Sequence, residues 1–230
     1  MKVYEHLFFD LDRTLWDFEK NSEVTLKEIY KEESLSKLLN VTSAEFIQTY
    51  KEMNAKMWAL YRKGEIDKLE LRTERFHQSL SVYGIKDKEY SLRINDLYVE
   101  NCSKQTHLIE GTIELLDYLL PKYKMHIITN GFIEAQSVKI EGSGLTNYFD
   151  QVIISDGLGY NKPDKRIFHH AMKMANAKSA NSLMIGDDYG PDILGAKSVG
   201  MDQVFFRRGQ KNNSEATYNI ERLMDLKEIL

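Results

Sequence analysis

His6-Leu7-Phe8-Phe9-Asp10-Leu11-Asp12-Arg13-Thr14-Leu15 is the stretch whose reading decides the fold. An apolar run from Val3 to Phe9, interrupted by polar residues, leads directly into two carboxylates one residue apart. A buried parallel strand has this form when it delivers acids at its C-terminal end. Open α/β sheets bind their ligands at that end. Side chains alternate along a strand, so Asp10 and Asp12 face one crevice if the chain stays extended through Leu11. Two anions that close repel unless a cation sits between them or one is protonated. The pair therefore implies a divalent metal, a shared proton, or both.

Beyond Thr14 the pattern turns helical for most of ninety residues. Asn21 or Ser22 can cap a first helix carrying Val24, Leu26, Ile29 and Tyr30. Thr42-Ser43-Ala44-Glu45 reads as a capping box, followed by Phe46, Ile47, Tyr50, Met53, Met57 and Tyr61 at helical spacing and a stop at Gly64. Asp67 with Glu70 opens a helix carrying Leu69, Phe76, Leu80 and Tyr83, and Asp87 opens another with Tyr90, Ile94, Leu97 and Tyr98. Four antiparallel helices with short connections make a small bundle. The stripe of Met53, Met57 and Trp58 reads as bundle core.

From Glu110 helix and strand alternate: helix from Thr112, strand Met125 to Thr129, helix Phe132 to Gly142, strand Val152 to Ser155, helix Lys165 to Ala175, strand Leu183 to Gly186, short helix Asp192 to Val199, strand Gln203 to Phe206. Tyr218 to Ile220 and a last helix to Leu230 close the series. Such alternation predicts βαβ units and a parallel sheet covered on both faces. The expected architecture is a Rossmann-like α/β core, residues 1–16 and 104–230, with an all-helical cap, residues 17–103, inserted after the first strand.

Composition narrows the function. The 31 basic and 35 acidic residues of the 230 give a net charge of -4, and no basic block appears, so the footprint of a nucleic-acid polymer binder is missing. Cys102 is the only cysteine, which rules out an intrachain disulfide and a cysteine zinc site within this chain. No run approaches the ~18 apolar residues of a membrane span. A cytoplasmic protein without an obligatory protein partner is expected. The six histidines form no ligand spacing with one another.

Three further strand ends carry chemistry: Ile127-Ile128-Thr129-Asn130-Gly131, Asn161-Lys162-Pro163, and Gly186-Asp187-Asp188-Tyr189-Gly190-Pro191-Asp192 after Leu183-Met184-Ile185. Taken singly, the threonine can be a cap, the Lys-Pro a surface turn and the Asp-rich stretch a helix-capping loop. Four such features in order, at strand ends of one α/β pattern, are another matter. With the first motif Asp10-Leu11-Asp12-Arg13-Thr14, a DxDxT pattern, they resemble the haloacid dehalogenase superfamily over the chain outside roughly residues 17 to 104. Arg13 stands where that superfamily commonly has Gly, Asp or Glu. Asp12 argues against a dehalogenase, which needs no proton donor for a halide.

The resemblance implies a phosphohydrolase acting through an aspartyl-phosphate. Asp10 suits the nucleophile and Asp12 the general acid, the roles the family gives the matching positions. Magnesium is the implied cofactor, because it prefers hard oxygens. Asp10 and Asp187 are its expected side-chain ligands, the Asp12 carbonyl a third by resemblance, and Asp192 the holder of a metal-bound water; Asp188 stays open. Lys162 can bind a phosphate oxygen and neutralise Asp10. Thr129, with the amides of Asn130 and Gly131, can donate to the remaining oxygens. The continuation Leu15-Trp16-Asp17-Phe18, the segment from Met57-Trp58 to Gly64, and Ile128-Thr129-Asn130-Gly131-Phe132 resemble the pyrimidine and house-cleaning 5′-nucleotidase subgroup. A small phosphorylated metabolite, a nucleoside monophosphate above all, is the implied partner, with Phe18, Trp58 and Tyr61 as candidates for choosing it. Phosphosugars, phosphoglycolate, a phosphomutase and a catalytically silent binding module are the alternatives.

Overall fold

The computed structural model describes residues 3–210 and 215–230. Strand β1 spans His6–Phe9, and all four of its residues are buried. It is shorter than the apolar run that predicts it. Val3 is exposed, and Tyr4 turns its hydroxyl to Asp202 Oδ2 at 2.6 Å. Around β1 the strands β2 (Lys124–Thr129), β3 (Gln151–Ile154), β4 (Ser182–Gly186), β5 (Asp202–Phe206) and β6 (Tyr218–Ile220) form one sheet in the order β3-β2-β1-β4-β5-β6. All neighbours run parallel. Phe9 pairs with Ile127 of β2 and Ile185 of β4, so β1 lies at the centre. The chain builds outward from β1 to β3 on one side, then returns to β4 on the other. That reversal makes the C-terminal end of β1 the switch point of the sheet.

Alternation along the central strands decides what covers them. Phe8, Ile128 and Met184 share a face with Ile167, Phe168, Ala171 and Met172 of α8 (Lys165–Ala175), the expected helix to the residue. Helices α6 (Thr112–Leu119) and α7 (Ile133–Gly142) also follow the expected positions closely. The segment after β4 differs. A single short helix from Asp192 is expected, whereas a π-helical turn over Tyr189–Leu194 runs into the three residues of α9, Gly195–Lys197. The last predicted helix is a 3₁₀ segment, Leu223–Glu228, opened by Arg222 and Asp225.

The chain divides into two compact units, Met1–Phe18 with Thr106–Leu230, and Glu19–Gln105. Both breaks lie two residues beyond 17 and 103. Hydrogen bonding accounts for this: Trp16 bridges to Asp12 and Leu108, and the Asp17 N–H donates to the His107 carbonyl at 3.0 Å. Phe18 thus belongs with the first unit, although it begins α1 (Phe18–Glu32).

The second unit is helical throughout: α1, α2 (Leu35–Leu39), α3 (Ser43–Arg62), α4 (Lys68–Ser81) and α5 (Lys88–Ser103). Both expected capping boxes form, Thr42 with Glu45 and Asp67 with Glu70, and Asp87 caps α5. Each cap is worth about 1 kcal/mol. Gly64 and Gly84 take φ values of 72° and 86°, which favour glycine and stop α3 and α4. Asn21 and Ser22 are not caps. They lie inside α1 and are buried: the Asn21 carbonyl accepts from Thr25 Oγ1, and Ser22 Oγ accepts from the Tyr98 hydroxyl at 2.9 Å. Leu69 is exposed and Leu71 fills the core instead, because α4 starts one residue after its Asp67 cap and its inner face follows from that. Among the described residues no helix is long and apolar enough to cross a membrane.

Candidate active site

β1 ends at Phe9, and the Asp10 N–H still donates to the Ile185 carbonyl of β4 at 2.9 Å. Asp10 is therefore held beside the point where β4 delivers Asp187, and Asp192 returns to the same place from the turn that follows. Ligand atoms of Asp10, Asp187 and Asp192 all lie within 4.8 Å of one another. Asp188 is exposed and outside this group; its N–H donates to Asp192 Oδ2 at 3.0 Å. Of the two adjacent acids, only Asp187 faces Asp10.

One cation reaches the cluster from inside. Lys162 is 1% exposed, with Nζ at 2.6 Å from Asp10 Oδ1, 2.7 Å from Asp192 Oδ1 and 2.7 Å from the Ile128 carbonyl. Its loop is clamped by Asn130, whose amide oxygen accepts from the Lys162 N–H at 2.8 Å and whose amide nitrogen donates to the Lys162 carbonyl at 2.9 Å. Burial works to lower the Lys162 ammonium, but Asp10 and Asp192 outweigh it and raise it. The carboxyls move the opposite way. Burial pushes Asp10 up to about 7 despite Lys162, and Asp187 up to about 8, with the charges of Asp10 and Asp192 adding to it. Burial also raises Asp192. Three clustered carboxyls, two of them on one ammonium, call for a second cation, and their donors are all hard oxygens. This set fits magnesium, whose opposite ligands stand about 4 Å apart in an octahedron of ~2.1 Å bonds.

Asp12 is treated differently. Lys139 Nζ lies 2.6 Å from its Oδ1, and Gln136 Nε2 donates to its Oδ2 at 2.8 Å. Burial would raise the Asp12 carboxyl, yet the Lys139 ammonium and the hydrogen bonds from Lys139 and Gln136 prevail and lower it. Gln136 Nε2 also donates to Thr129 Oγ1 at 2.6 Å, and the Gly131 N–H reaches the same oxygen at 3.2 Å. The Gly131 amide, expected to bind phosphate, thus serves the threonine. Thr14 Oγ1 lies 3.4 Å from Asp187 Oδ1. Arg13 places its guanidinium 4.3 Å over the Phe18 ring, so one face of that ring is covered. Trp58 and Tyr61 meet edge to face at 5.6 Å on α3, both half-buried.

The four sequence motifs therefore converge at one sheet end, and Gln136, Lys139 and Thr14 join them. Thr14 closes the first motif, and its contact with Asp187 gives it a place in the site. Gln136 and Lys139 lie at i and i+3 of α7, a spacing that puts both on one helix face, but nothing in sequence ties that face to Asp12.

Acids gathered around a buried lysine at the switch point of a parallel sheet form a charged site where α/β folds bind their ligands. Residues 4–200 match the haloacid dehalogenase-like hydrolase family, and the chain belongs to it. It is 29% identical to pyrimidine 5′-nucleotidase YjjG of Escherichia coli over 99% of this chain and 98% of that protein. Pyrimidine 5′-nucleotidase PynA of Streptococcus pneumoniae is 31% identical over 99% of this chain and 95% of its own length. The fold is that of the magnesium-bound HAD-hydrolase YfnB of Bacillus subtilis, whose structure reveals interdomain movement: TM-score 0.90, 26% identity, covering 100% of this chain and 99% of that one.

Proposed function

We propose that the protein is a magnesium-dependent phosphomonoester hydrolase that works through an aspartyl-phosphate, with nucleoside 5′-monophosphates as substrates. The observation that carries this reading is Asp10: buried, paired with Lys162 at 2.6 Å, and clustered with Asp187 and Asp192 at the end of the central strand. Magnesium, held by Asp10, Asp187 and the Asp12 carbonyl, would neutralise charge on the transferring phosphoryl. Asp192, whose two oxygens already take Lys162 and the Asp188 N–H, suits a held water.

In the first half-reaction an Asp10 oxygen bonds to phosphorus as the bond to the leaving oxygen breaks, and Asp12 gives that oxygen a proton. Lys139 holds Asp12 ionised in the resting site, so the proton it gives is one it first takes from the hydroxyl of the entering phosphomonoester monoanion. In the second half water attacks phosphorus, the bond to Asp10 breaks, and the water's proton returns to Asp12. Lys162 and the Thr129 hydroxyl hold the phosphoryl oxygens throughout. Two relatives matched along nearly their whole length are pyrimidine 5′-nucleotidases, which supports nucleotides as the substrates.

The test is phosphate release from a panel of nucleotides and sugar phosphates with magnesium, for the native chain and Asp10→Asn. Turnover should fall by more than about 100-fold in the variant. Retained activity would refute the covalent route, and a preference for sugar phosphates would transfer the substrate assignment to them.

A further inference from the structure

We propose that Gln136 and Lys139 of α7 are positioning residues that hold Asp12 and the Thr129 hydroxyl in register for proton transfer to the leaving oxygen; the inference rests on the phosphohydrolase reading above. Lysine is almost never as buried as Lys139, which is 7% exposed, unless it is paired. Its ammonium sits between Asp12 Oδ1 at 2.6 Å and the face of Trp16 at 4.3 Å, an aromatic cradle that fixes where the charge can lie. Gln136 is fully buried and spends its amide nitrogen on two acceptors, Asp12 Oδ2 and Thr129 Oγ1. Its amide oxygen has no hydrogen-bond partner among the described residues. A buried acceptor left unsatisfied is costly, and a glutamine kept that way is held by its donor contacts.

The consequences are directional. Each Asp12 oxygen has its own donor, so the carboxyl plane is fixed at two points. Thr129 Oγ1 accepts from both Gln136 and the Gly131 N–H, which fills its acceptor sites and leaves its own proton to be donated elsewhere. One amide thus sets both the acid and the hydroxyl. Gly131 makes room for it: a Cβ there would lie 2.3 Å from the Gln136 amide. No charge is created or lost in this scheme: Asp12 takes the proton of the entering phosphomonoester monoanion, gives it to the leaving oxygen in the first half, and regains one from water in the second.

Leaving-group dependence separates positioning from mere support of the fold. An alkyl alcohol needs a proton to depart, whereas p-nitrophenolate departs without one. Single-turnover release should be followed for an alkyl phosphomonoester and p-nitrophenyl phosphate, with the native chain, Lys139→Met, Gln136→Met and Lys139→Arg, each checked for folding by thermal melting. Alkyl release should fall by at least about 10-fold in both Met variants, in the single-turnover rate at saturating enzyme rather than in the concentration that half-saturates it, with p-nitrophenol release changing less than about 3-fold. Lys139→Arg should recover most of the loss. Gln136→Met keeps the test decisive if Lys139→Met does not fold. Equal losses on both substrates, or no advantage of Arg over Met, would overturn the inference while leaving the phosphohydrolase reading standing. Failure of the native chain on both substrates would overturn that reading and the inference together.

Discussion

Gly186 and Gly131 are required by close approach rather than by backbone freedom. A Cβ on Gly186 would lie 2.2 Å from Asp192 Oδ2, so the last residue of β4 must be glycine for Asp192 to reach the cluster. Gly131 admits Gln136 in the same way. At the other end of the sheet, His6 and His126 form a different buried pair, with Nδ1 of the first 3.1 Å from Nε2 of the second and Phe8 packed 4.8 Å from the His126 ring. Burial, helped by the neighbouring His6 and Lys124 and opposed by Asp150, lowers His126 to about 4 from its usual 6.5. Burial also lowers His6. The sign follows from linkage: between those two values the unfolded chain binds a proton that the folded chain refuses. The contribution is complete above pH 6.5 and is lost as pH falls toward 4. At about 1.36 kcal/mol per unit, the loss for His126 between pH 7 and 5 is on the order of 2 kcal/mol. Urea unfolding at both pH values should show that extra loss in the native chain relative to His126→Gln. Parallel loss in the two would place the acid sensitivity elsewhere.

Elements were legible where local chemistry and periodicity agreed. α8 is predicted to the residue because Asp164 caps it and its apolar positions fall every three or four residues; α3 and α4 carry complete capping boxes. The first helix was not, because Asn21 and Ser22 have cap chemistry but spend it inside the bundle, a tertiary use that sequence does not signal. The turn after β4 reads as a helix from Asp192 in sequence, yet three acids and a proline in seven residues conceal a π-helical turn that aims Asp192 back at Lys162. The site's acids were legible for a simpler reason: each motif ends a strand, and parallel strands end together. Its α7 residues were not, because their partner Asp12 lies more than 120 positions away. On α3 the core face is Phe46, Ile47, Tyr50, Asn54 and Met57, and Trp58 with Tyr61 forms a second, half-buried face. We keep these two rings as proposed selectors of a nucleobase, ahead of Phe18 with its covered face. Stacking on an aromatic ring is worth about 1–3 kcal/mol, so Trp58→Ala should reduce nucleotide kcat/KM by about 10-fold. Acetyl phosphate, which has no base, is the control, and an equal loss there would remove Trp58 from the selecting set.

At the scale of the whole molecule, the first unit carries a cluster that works against its own stability. Burying Asp10, Asp187 and Asp192 together raises all three carboxyls, which means folding is opposed by them until another cation arrives. A ligand that binds only the folded chain stabilises it by about 2.7 kcal/mol at one hundred times its dissociation constant. For a chain of 230 residues that corresponds to a melting temperature higher by roughly 5–10 °C. Added magnesium should therefore raise the melting temperature by that order, and Asp187→Asn should behave in the opposite sense on both counts. Without the cation the variant should melt above the native chain, because one of the opposing carboxyls is gone. With the cation it should gain little, because a ligand is gone. A variant that melts below the native chain in chelator and still gains the full magnesium shift would remove Asp187 from the site, since neither the repulsion nor the coordination could then run through its side chain.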